Sequence, residues 1–147
     1  MANFYWPVRV YWEDTDAGGV VFYANYLKFF ERARTEWLRQ LGIQQHTLRQ
    51  QTQGMFVVTQ TKVDYKAPAR LDDKLCISVA LLRRGRASLV LQQTAWRMPE
   101  QDDARLLPDD RYVCLCEGEI AIAWVHAHTL KPTKIPSEVL SALDTVL

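Results

Sequence analysis

The sequence is poor in the residues that mark several large classes of protein. Its 147 residues include only 3 cysteines, and an odd, small number argues against a secreted domain held by disulfides. No apolar run reaches the roughly 20 residues that span a bilayer. The first residues, MANFYWPVRVYWED, lack both the basic end and the apolar run of a secretion signal. We therefore expect a cytoplasmic protein.

Neither sign of charge dominates the sequence. Lysine and arginine number 18 against 17 acids, so the formal net charge is only +1. This balance gives no overall attraction to nucleic acid or to an anionic membrane, and we expect neither as a partner. Any anionic ligand must be bound by a local basic cluster. The length is that of one domain, and we predict a single domain over residues 1–147.

The hydrophobic pattern predicts one long helix early in the chain and strands after it. A helix of about 17 to 19 residues is expected from near Asn25, its N-cap, to the stop at Gly42. A shorter helix should end near Gly54, and a closing helix should begin at Ser137, capped by that serine. Period-two segments predict strands over residues 4–12, 55–66, 74–82, 87–97 and 111–126. Residues 98–110 are predicted to form a polar loop.

This order of elements predicts an α+β fold. One strongly apolar helix must be covered by the largely antiparallel strands that follow it. We expect an antiparallel sheet wrapped around one long central helix, with the apolar strand 111–126 in the middle of the sheet. Open sheet edges usually pair with a second subunit, so we expect a site completed across a two-fold axis.

The stretch WEDTDAGGVVFYANY, residues 12–26, carries the clearest chemical signal. Glu13, Asp14 and Asp16 would ordinarily be solvated loop acids. The Gly18–Gly19 pair, however, allows close backbone approach, and the N–H groups at the start of the following helix favour a developing oxyanion. A carboxylate here is a candidate nucleophile or general base facing a polarised carbonyl.

Of the three acids, Asp16 is the candidate, because it lies two residues before the glycine pair. Glu13 and Asp14 flank the strand end and are expected to stay solvated. A calcium loop that started at Asp14 would need glutamate twelve positions along, where the sequence has Asn25. A phosphoryl-transfer aspartate would need an open parallel sheet, which the pattern excludes.

Residues 9–34, RVYWEDTDAGGVVFYANYLKFFERAR, resemble the 4-hydroxybenzoyl-CoA thioesterase family of hotdog-fold acyl-CoA thioesterases. The shared signature is Asp and Gly, then Val and aromatic residues, then Asn, Tyr and a helix with Glu-x-x-Arg. The order of elements is similar over residues 6–135, including YKAPARLDDKL before the third strand. Within the family, WPVRVYWEDTDAGGVV is most similar to the Tol-Pal-associated branch.

The resemblance implies a hotdog fold, hydrolysis of acyl-CoA thioesters, a homodimer or homotetramer, and no cofactor. It implies that Asp16 is the catalytic carboxylate and that backbone N–H groups at the helix start, at the position of Tyr23, polarise the thioester. The Tol-Pal-associated branch commonly has histidine at that position, whereas the 4-hydroxybenzoyl branch has an aromatic residue. Gly19 is expected to let the substrate approach, and Trp12, where tyrosine is common, to shape the acyl pocket.

A second cluster is assigned to the phosphates of coenzyme A. Arg83, Arg84 and Arg86 surround Gly85 in a predicted hairpin, and arginine forks match phosphate geometry. Lys131, after the last strand, is expected to join them. Arg70, in APAR, is a weaker candidate for the same ligand. His126 and His128 lack further ligands at convincing spacing, so no metal site is expected.

Two classes of function stay open at this point. One is an acyl-CoA thioesterase, acting on coenzyme A esters or on acyl carrier protein, with a peripheral link to membrane lipid metabolism. The other is a catalytically idle module that binds acyl-CoA or acyl carrier protein and acts through partners, because a fold alone does not fix function. A hotdog dehydratase is less well supported, since such enzymes use an active-site histidine and the loop has none.

Overall fold

The computed structural model describes residues 4–100 and 107–146 of the chain. Residues 101–106 of the predicted polar loop thus lie outside the described residues. The elements, in chain order, are β1 (Phe4–Arg9), α1 (Asn25–Gln40), α2 (Gln45–Thr52), β2 (Gly54–Tyr65), β3 (Lys74–Arg84), β4 (Ser88–Arg97), β5 (Val113–His126) and α3 (Ser137–Asp144). A 3-10 turn at Trp12–Asp14 lies between β1 and α1. The predicted elements are therefore present in the predicted order.

The strands form one five-stranded sheet in the order β1-β3-β4-β5-β2. Every strand pair is antiparallel, which confirms the predicted α+β class and the antiparallel sheet. The strand predicted for the middle, β5, is an interior strand between β4 and β2, and β4 is the central one. Strands β1 and β2 are the edges of the sheet in the described chain.

Helix α1 packs its apolar side against the sheet. Its buried positions recur at the helical period, and the strands supply buried aliphatic residues opposite them. A Cβ added to Gly118 of β5 would lie 2.8 Å from Cε2 of Phe30, so the close contact of helix and strand requires glycine there. The largest fully buried side chains of this core include Phe29, Phe30, Trp37, Leu38, Leu75, Ile77, Leu89 and Leu91.

The predicted side-chain caps are wrong at both helix starts. Asn25 is the first residue of α1 and Ala24 is the cap position, with helical dihedral angles of its own. Because the chain enters α1 through a turn that is already helical, backbone carbonyls accept the first N–H bonds, and the Asn25 side chain binds elsewhere. At α3 the cap position is Pro136, and Ser137 makes no capping bond. Gly42, with φ of +84°, ends α1 as predicted.

Candidate active site

The first half of the loop between β1 and α1 is held by Asp14. This residue is buried, with only 4% of its surface exposed. Its Oδ2 accepts a hydrogen bond of 2.8 Å from the Tyr11 N–H. Its carbonyl oxygen accepts from the Phe22 N–H at 3.0 Å and from Asn25 Nδ2 at 2.9 Å. The expectation that Asp14 stays solvated is therefore wrong, because the residue is buried in the loop and the Tyr11 N–H binds its carboxylate.

The second half of the loop is a tight turn that presents Asp16. The Asp16 N–H donates to the Val20 carbonyl at 2.9 Å, and its carbonyl accepts from the Gly19 N–H at 3.0 Å. One carboxylate oxygen, Oδ1, accepts from the Gly18 N–H at 2.8 Å. Asp16 is exposed, and within the described chain no group donates to its Oδ2. The carboxylate is thus oriented through one oxygen and accessible through the other.

Glycine is needed in this turn for two reasons. Gly19 has a φ of +82°, a conformation that side chains rarely adopt. A Cβ at Gly18 would lie 3.2 Å from Oδ1 of Asp16, the atom that the Gly18 N–H binds. The turn is attached to the sequence that precedes β3 through a Val21 N–H bond of 2.9 Å to the Ala69 carbonyl. The glycine pair therefore fixes the orientation of the Asp16 carboxylate.

Two backbone N–H groups at the entrance to α1 are unused. In the part of the chain that the structure describes, the N–H groups of Tyr23 and Ala24 have no acceptor. The preceding N–H, of Phe22, is bound to the Asp14 carbonyl, and the following one, of Asn25, to the Phe22 carbonyl. Adjacent free donors at a helix start can bind an oxyanion or a carbonyl oxygen.

Aromatic side chains surround this entrance. Tyr23 and Trp12 are exposed over 64% and 79% of their surfaces. The Tyr65 hydroxyl, at the end of β2, donates to the Tyr23 carbonyl at 2.9 Å, which ties the helix entrance to the edge strand. Burial raises the pKa of Tyr65 and of Tyr26, so both phenols stay protonated near neutral pH. Neither phenol can therefore act as an ionised base beside Asp16.

The structure places the predicted phosphate-binding residues in two regions. Arg70 lies beside the Asp16 turn, because it forms a β-bridge with Val20. The hairpin that follows β3 is remote from that turn in the same chain. Arg9, which leads into the loop, is paired with Lys74, and Arg83 is nine residues further along β3. At ~3.3 Å per residue the separation is about 30 Å.

The hairpin and Lys131 come together at the other end of the sheet. The Arg86 carbonyl accepts from the Ile135 N–H at 2.8 Å, and the Lys131 carbonyl accepts from the His126 N–H at 3.0 Å. Two of the hairpin arginines have acidic partners: Arg83 lies 3.4 Å from Glu119 and Arg84 lies 2.7 Å from Asp144. The side chains of Arg86 and Lys131 have no acidic partner among the described residues. Of the predicted phosphate-binding residues at this end, these two are therefore the available cations.

Strand β2 connects the two regions along the open edge of the sheet. Its last residue, Tyr65, binds the helix entrance, and its first, Gly54, is paired with His126 at the basic end. Its outer edge is unpaired in the described chain, and Val58 is 50% exposed. An unpaired edge with exposed apolar residues is typical of a surface that another strand covers.

Sequence reasoning missed a buried polar group between α1 and the sheet. Arg34 donates to Oε1 of Gln93 at 2.9 Å, and Gln93 donates to the Phe30 carbonyl at 3.0 Å. Burial lowers the pKa of the Arg34 guanidinium. The signal was present in the alternation of β4, because Leu89, Leu91 and Gln93 fall on one face and only the last is polar.

The two histidines of VHAHT lie with their ring centres 5.6 Å apart. Nδ1 of His126 accepts from the His128 N–H at 3.2 Å, which is a local turn contact. Over residues 4–100 and 107–146 no group of three or more His, Cys, Asp or Glu side chains is placed to hold a metal ion. Over the same residues, no helix combines the length and the apolar character needed to cross a bilayer.

Residues 10–143 match the thioesterase-like superfamily, so the chain belongs to that superfamily, as the sequence resemblance predicted. Within it, the chain is 40% identical over 140 residues to the acyl-CoA thioesterase YbgC of Haemophilus influenzae, covering 95% of this chain and 93% of the relative. The identity to the acyl-CoA thioester hydrolase YbgC of Escherichia coli is 39%, over 94% and 93% of the two chains.

Solved structures share the fold. The crystal structure of a probable thioesterase from Bartonella henselae superposes with a TM-score of 0.76 at 30% identity, covering 90% of this chain and 98% of the other. The five-stranded antiparallel sheet with its helices is thus the architecture of known thioesterases.

Proposed function

We propose that this protein hydrolyses acyl-CoA thioesters, with Asp16 as the catalytic carboxylate. The observation that carries the proposal is the position of Asp16 in a glycine turn of the same loop that leads to the free N–H groups of Tyr23 and Ala24. A carboxylate with one accessible oxygen and a pair of free backbone donors are the two parts that thioester hydrolysis needs. The similarity to YbgC thioesterases supports the same reaction.

In the proposed reaction the thioester oxygen accepts hydrogen bonds from the Tyr23 and Ala24 N–H groups. Asp16 then acts in one of two ways. As a nucleophile, its free oxygen attacks the carbonyl carbon, the C–S bond breaks with release of the coenzyme A thiolate, and water hydrolyses the resulting anhydride. As a general base, Asp16 takes a proton from the water that attacks the carbonyl. Tyr23 contributes its backbone, so the exchange of histidine for tyrosine there is compatible with activity.

The site is proposed to be completed by a second copy of the chain. Antiparallel pairing of two β2 edges around a two-fold axis brings the Gly54 end of one strand to the Tyr65 end of the other. Arg86 and Lys131 of one copy would then lie on the side of Asp16 of the other. Within one chain, the phosphate-binding cluster lies about 30 Å from the carboxylate, as estimated from the rise of a strand. The pairing of two copies would bring the cluster of one chain to the carboxylate of the other. A homodimer is the smallest assembly that satisfies it, and a homotetramer also would.

The ligand chemistry common to all candidate substrates is a thioester on a phosphopantetheine arm. Coenzyme A and acyl carrier protein both carry that arm. If the acyl group is derived from a lipid, the reaction would link the protein to membrane lipid metabolism and to the Tol-Pal system. Trp12, Gly19 and Arg70 are proposed to line the approach to Asp16, because all three lie in or beside the loop. The proposed fold is a hotdog whose sheet wraps around α1, and the proposed compartment is the cytoplasm.

The test is a panel of thioesters read by release of the free thiol. It should include coenzyme A esters from acetyl to palmitoyl and benzoyl, and an acyl carrier protein loaded with the best acyl group. We expect turnover of at least one coenzyme A ester. Binding of these esters without thiol release would refute the enzyme and leave the binding module. Light scattering at micromolar concentration should give a mass above that of the 17.0 kDa chain.

Mixing two inactive variants tests the composite site. Asp16→Asn removes the carboxylate, and Arg86→Ala/Lys131→Ala removes the available cations. If each site uses Asp16 from one chain and the cations from the other, a mixed dimer has one intact site. Co-refolded equal amounts should then give about one quarter of wild-type activity at low substrate, since about half of the dimers are mixed.

The matched control for the cation variant is Arg39→Ala/Arg49→Ala, which removes two exposed cations from α1 and α2. That double variant should keep the Michaelis constant for coenzyme A esters, whereas Arg86→Ala/Lys131→Ala should raise it. No gain of activity in the mixture, beyond the sum of the two variants, would mean that the site is not shared.

A further inference from the structure

The two free backbone donors at the entrance to α1 belong to consecutive peptide groups. The Tyr23 N–H shares its peptide group with the Phe22 carbonyl, and the Ala24 N–H shares its own with the Tyr23 carbonyl. The Asn25 N–H donates to the first carbonyl at 2.8 Å, and the Tyr65 hydroxyl donates to the second at 2.9 Å. Each free donor therefore lies on a peptide group whose carbonyl oxygen already accepts a hydrogen bond.

The bond to the Tyr23 carbonyl differs from an ordinary helix contact. It comes from a side chain 42 residues further along the chain, at the end of β2. Among the residues that the structure describes, no backbone N–H donates to this carbonyl, and the Leu27 N–H, one turn on, binds the Ala24 carbonyl at 3.1 Å. The Tyr65 hydroxyl thus supplies a bond that the helix itself does not make.

A hydrogen bond to the oxygen of a peptide group makes the N–H of the same group a stronger donor. The group is planar and conjugated, so charge drawn toward the oxygen leaves the nitrogen and its hydrogen more positive. Consecutive hydrogen bonds of this kind strengthen one another by about 10 to 30% per bond. The Tyr65 hydroxyl is therefore placed to strengthen the Ala24 N–H, which is one of the two donors proposed to bind the thioester oxygen.

Aromatic contacts fix the direction in which Tyr65 points. Its ring centre lies 6.2 Å from that of Tyr23 and 5.8 Å from that of Tyr26, and both contacts are edge-on. The Tyr26 side chain is buried, and its hydroxyl accepts from the Ala69 N–H at 3.0 Å, so this neighbour is itself held in place. Burial raises the pKa of Tyr65, so its hydroxyl keeps the proton that it donates.

We propose that Tyr65 is a positioning residue of the reaction, whose hydroxyl orients the Tyr23–Ala24 peptide group and strengthens the Ala24 N–H toward the thioester oxygen. The inference rests on the proposed thioesterase function. The thioester oxygen becomes fully negative only as the tetrahedral intermediate forms, and a stronger donor then contributes most. Tyr65 should therefore act on kcat and leave the Michaelis constant nearly unchanged.

The first test removes the hydroxyl. Tyr65→Phe keeps the ring and its aromatic contacts, and we expect kcat for the best coenzyme A ester to fall about threefold to tenfold, the scale of one hydrogen bond. The Michaelis constant should stay close to that of the wild type. The matched control is Tyr5→Phe, in the separate cluster with Cys76 and Met98, which should keep both constants. An unchanged kcat in Tyr65→Phe, or a raised Michaelis constant with kcat kept, would overturn the proposal.

The second test keeps the hydroxyl and changes only its strength as a donor. Monofluorotyrosine and difluorotyrosine, with fluorine beside the hydroxyl, are incorporated at position 65 alone and have progressively more acidic phenols. Assays at about pH 6 keep these phenols protonated, since the pKa of an ordinary tyrosine is about 10. We expect kcat to rise from tyrosine to monofluorotyrosine to difluorotyrosine. A constant or falling kcat would mean that the hydroxyl only tethers the helix entrance, which contradicts the proposal.

The third test measures polarisation of a bound carbonyl without any reaction. Acetonyl-CoA carries a ketone that cannot be hydrolysed, because a methylene group separates its carbonyl from the sulfur. With ¹³C at the ketone and saturating protein, we expect the resonance to lie downfield of that of the free compound. In Tyr65→Phe it should move part of the way back. No displacement with the wild type, or the same displacement with both proteins, would count against the inference.

The three tests separate failure of this inference from failure of the proposed function. Absence of hydrolysis of every thioester, together with a ketone resonance that depends on Tyr65, would refute the thioesterase and leave a carbonyl-binding site strengthened by that hydroxyl. Hydrolysis that depends neither on the hydroxyl nor on its acidity would refute the role of Tyr65 alone.

Discussion

The loop between β1 and α1 has two halves, and each half carries one aspartate. One aspartate is buried and the other is exposed. In residues 11–15, Asp14 is buried, and both its carboxylate and its carbonyl are bound by groups of the loop and of α1. In residues 16–20, Asp16 is exposed, and its carboxylate is bound only through Oδ1, by N–H groups of its own turn. The two acids are two positions apart in sequence and differ in almost every physical respect.

This difference suggests a division of roles, in which Asp14 supports the loop and Asp16 is available for the reaction. Asp14 fixes the backbone at Tyr11 and Phe22 and the first residue of α1, Asn25. Those contacts hold the N–H groups of Tyr23 and Ala24 at the entrance to the helix. Asp16 adds a carboxylate that the turn orients through Oδ1 and leaves accessible through Oδ2. Each carboxylate has one oxygen bound, so the acid available for a reaction is recognised by its exposure to solvent.

Asp16→Asn is expected to have the largest effect of the changes in this loop. The variant keeps the size and the Oδ1 acceptor for the Gly18 N–H but loses the charge that attacks the thioester or takes the proton from water. We expect kcat to fall by roughly 10² to 10⁴, the usual scale for loss of an acid-base group. Steady-state hydrolysis of the best panel substrate measures it. The melting temperature should stay close to that of the wild type.

Labelled water distinguishes the two roles of Asp16 in a single turnover with enzyme in excess. A nucleophilic Asp16 gives a first product without label and leaves the label in its own carboxylate. A general base leaves the label in the product alone. Near wild-type turnover of Asp16→Asn on every thioester would contradict the catalytic role of Asp16.

The fold could be predicted from the sequence because its elements are long and periodic. The apolar stripe of α1 and the alternation of β3 and β4 are local signals, and the five strands were found within a few residues. Asp16 was chosen from a local signal too, its distance from the glycine pair. The structure supports that choice through the Gly18 N–H bond, while the catalytic role itself stays a prediction.

The rest depended on contacts between residues that are far apart in sequence. The burial of Asp14 requires Asn25, eleven residues away, to turn its side chain toward the loop, and nothing in WEDTDAGG distinguishes it from Glu13. Arg84 pairs with Asp144, which lies 60 residues further along the chain, and Arg84 is therefore not available to bind a phosphate. The predicted Asn25 cap was wrong because a sequence motif does not show that the chain arrives already helical. At α3 the cap position is one residue earlier than predicted, at Pro136.

Asp14→Asn should have a smaller effect, and the effect should be on stability before turnover. An asparagine can still accept from the Tyr11 N–H, but the bond loses its ionic character, and a buried amide adds two donors that need partners. We expect a loss of about 1 to 3 kcal/mol in the free energy of unfolding. Urea denaturation followed by circular dichroism measures it. Turnover should fall far less than in Asp16→Asn, because the changed side chain does not meet the substrate.

Asp14→Ala sharpens the same comparison, since it removes the acceptor altogether and leaves the partly buried Tyr11 N–H without its partner. The Tyr11 N–H is only partly buried, so Asp14→Ala should be about as unstable as Asp14→Asn. Turnover per folded molecule should stay closer to that of the wild type than to that of Asp16→Asn. If Asp14→Ala were as stable as the wild type and as inactive as Asp16→Asn, the roles of the two acids would have to be exchanged. The buried carboxylate would then be the reactive one, and the turn at Asp16 would serve only to shape the loop.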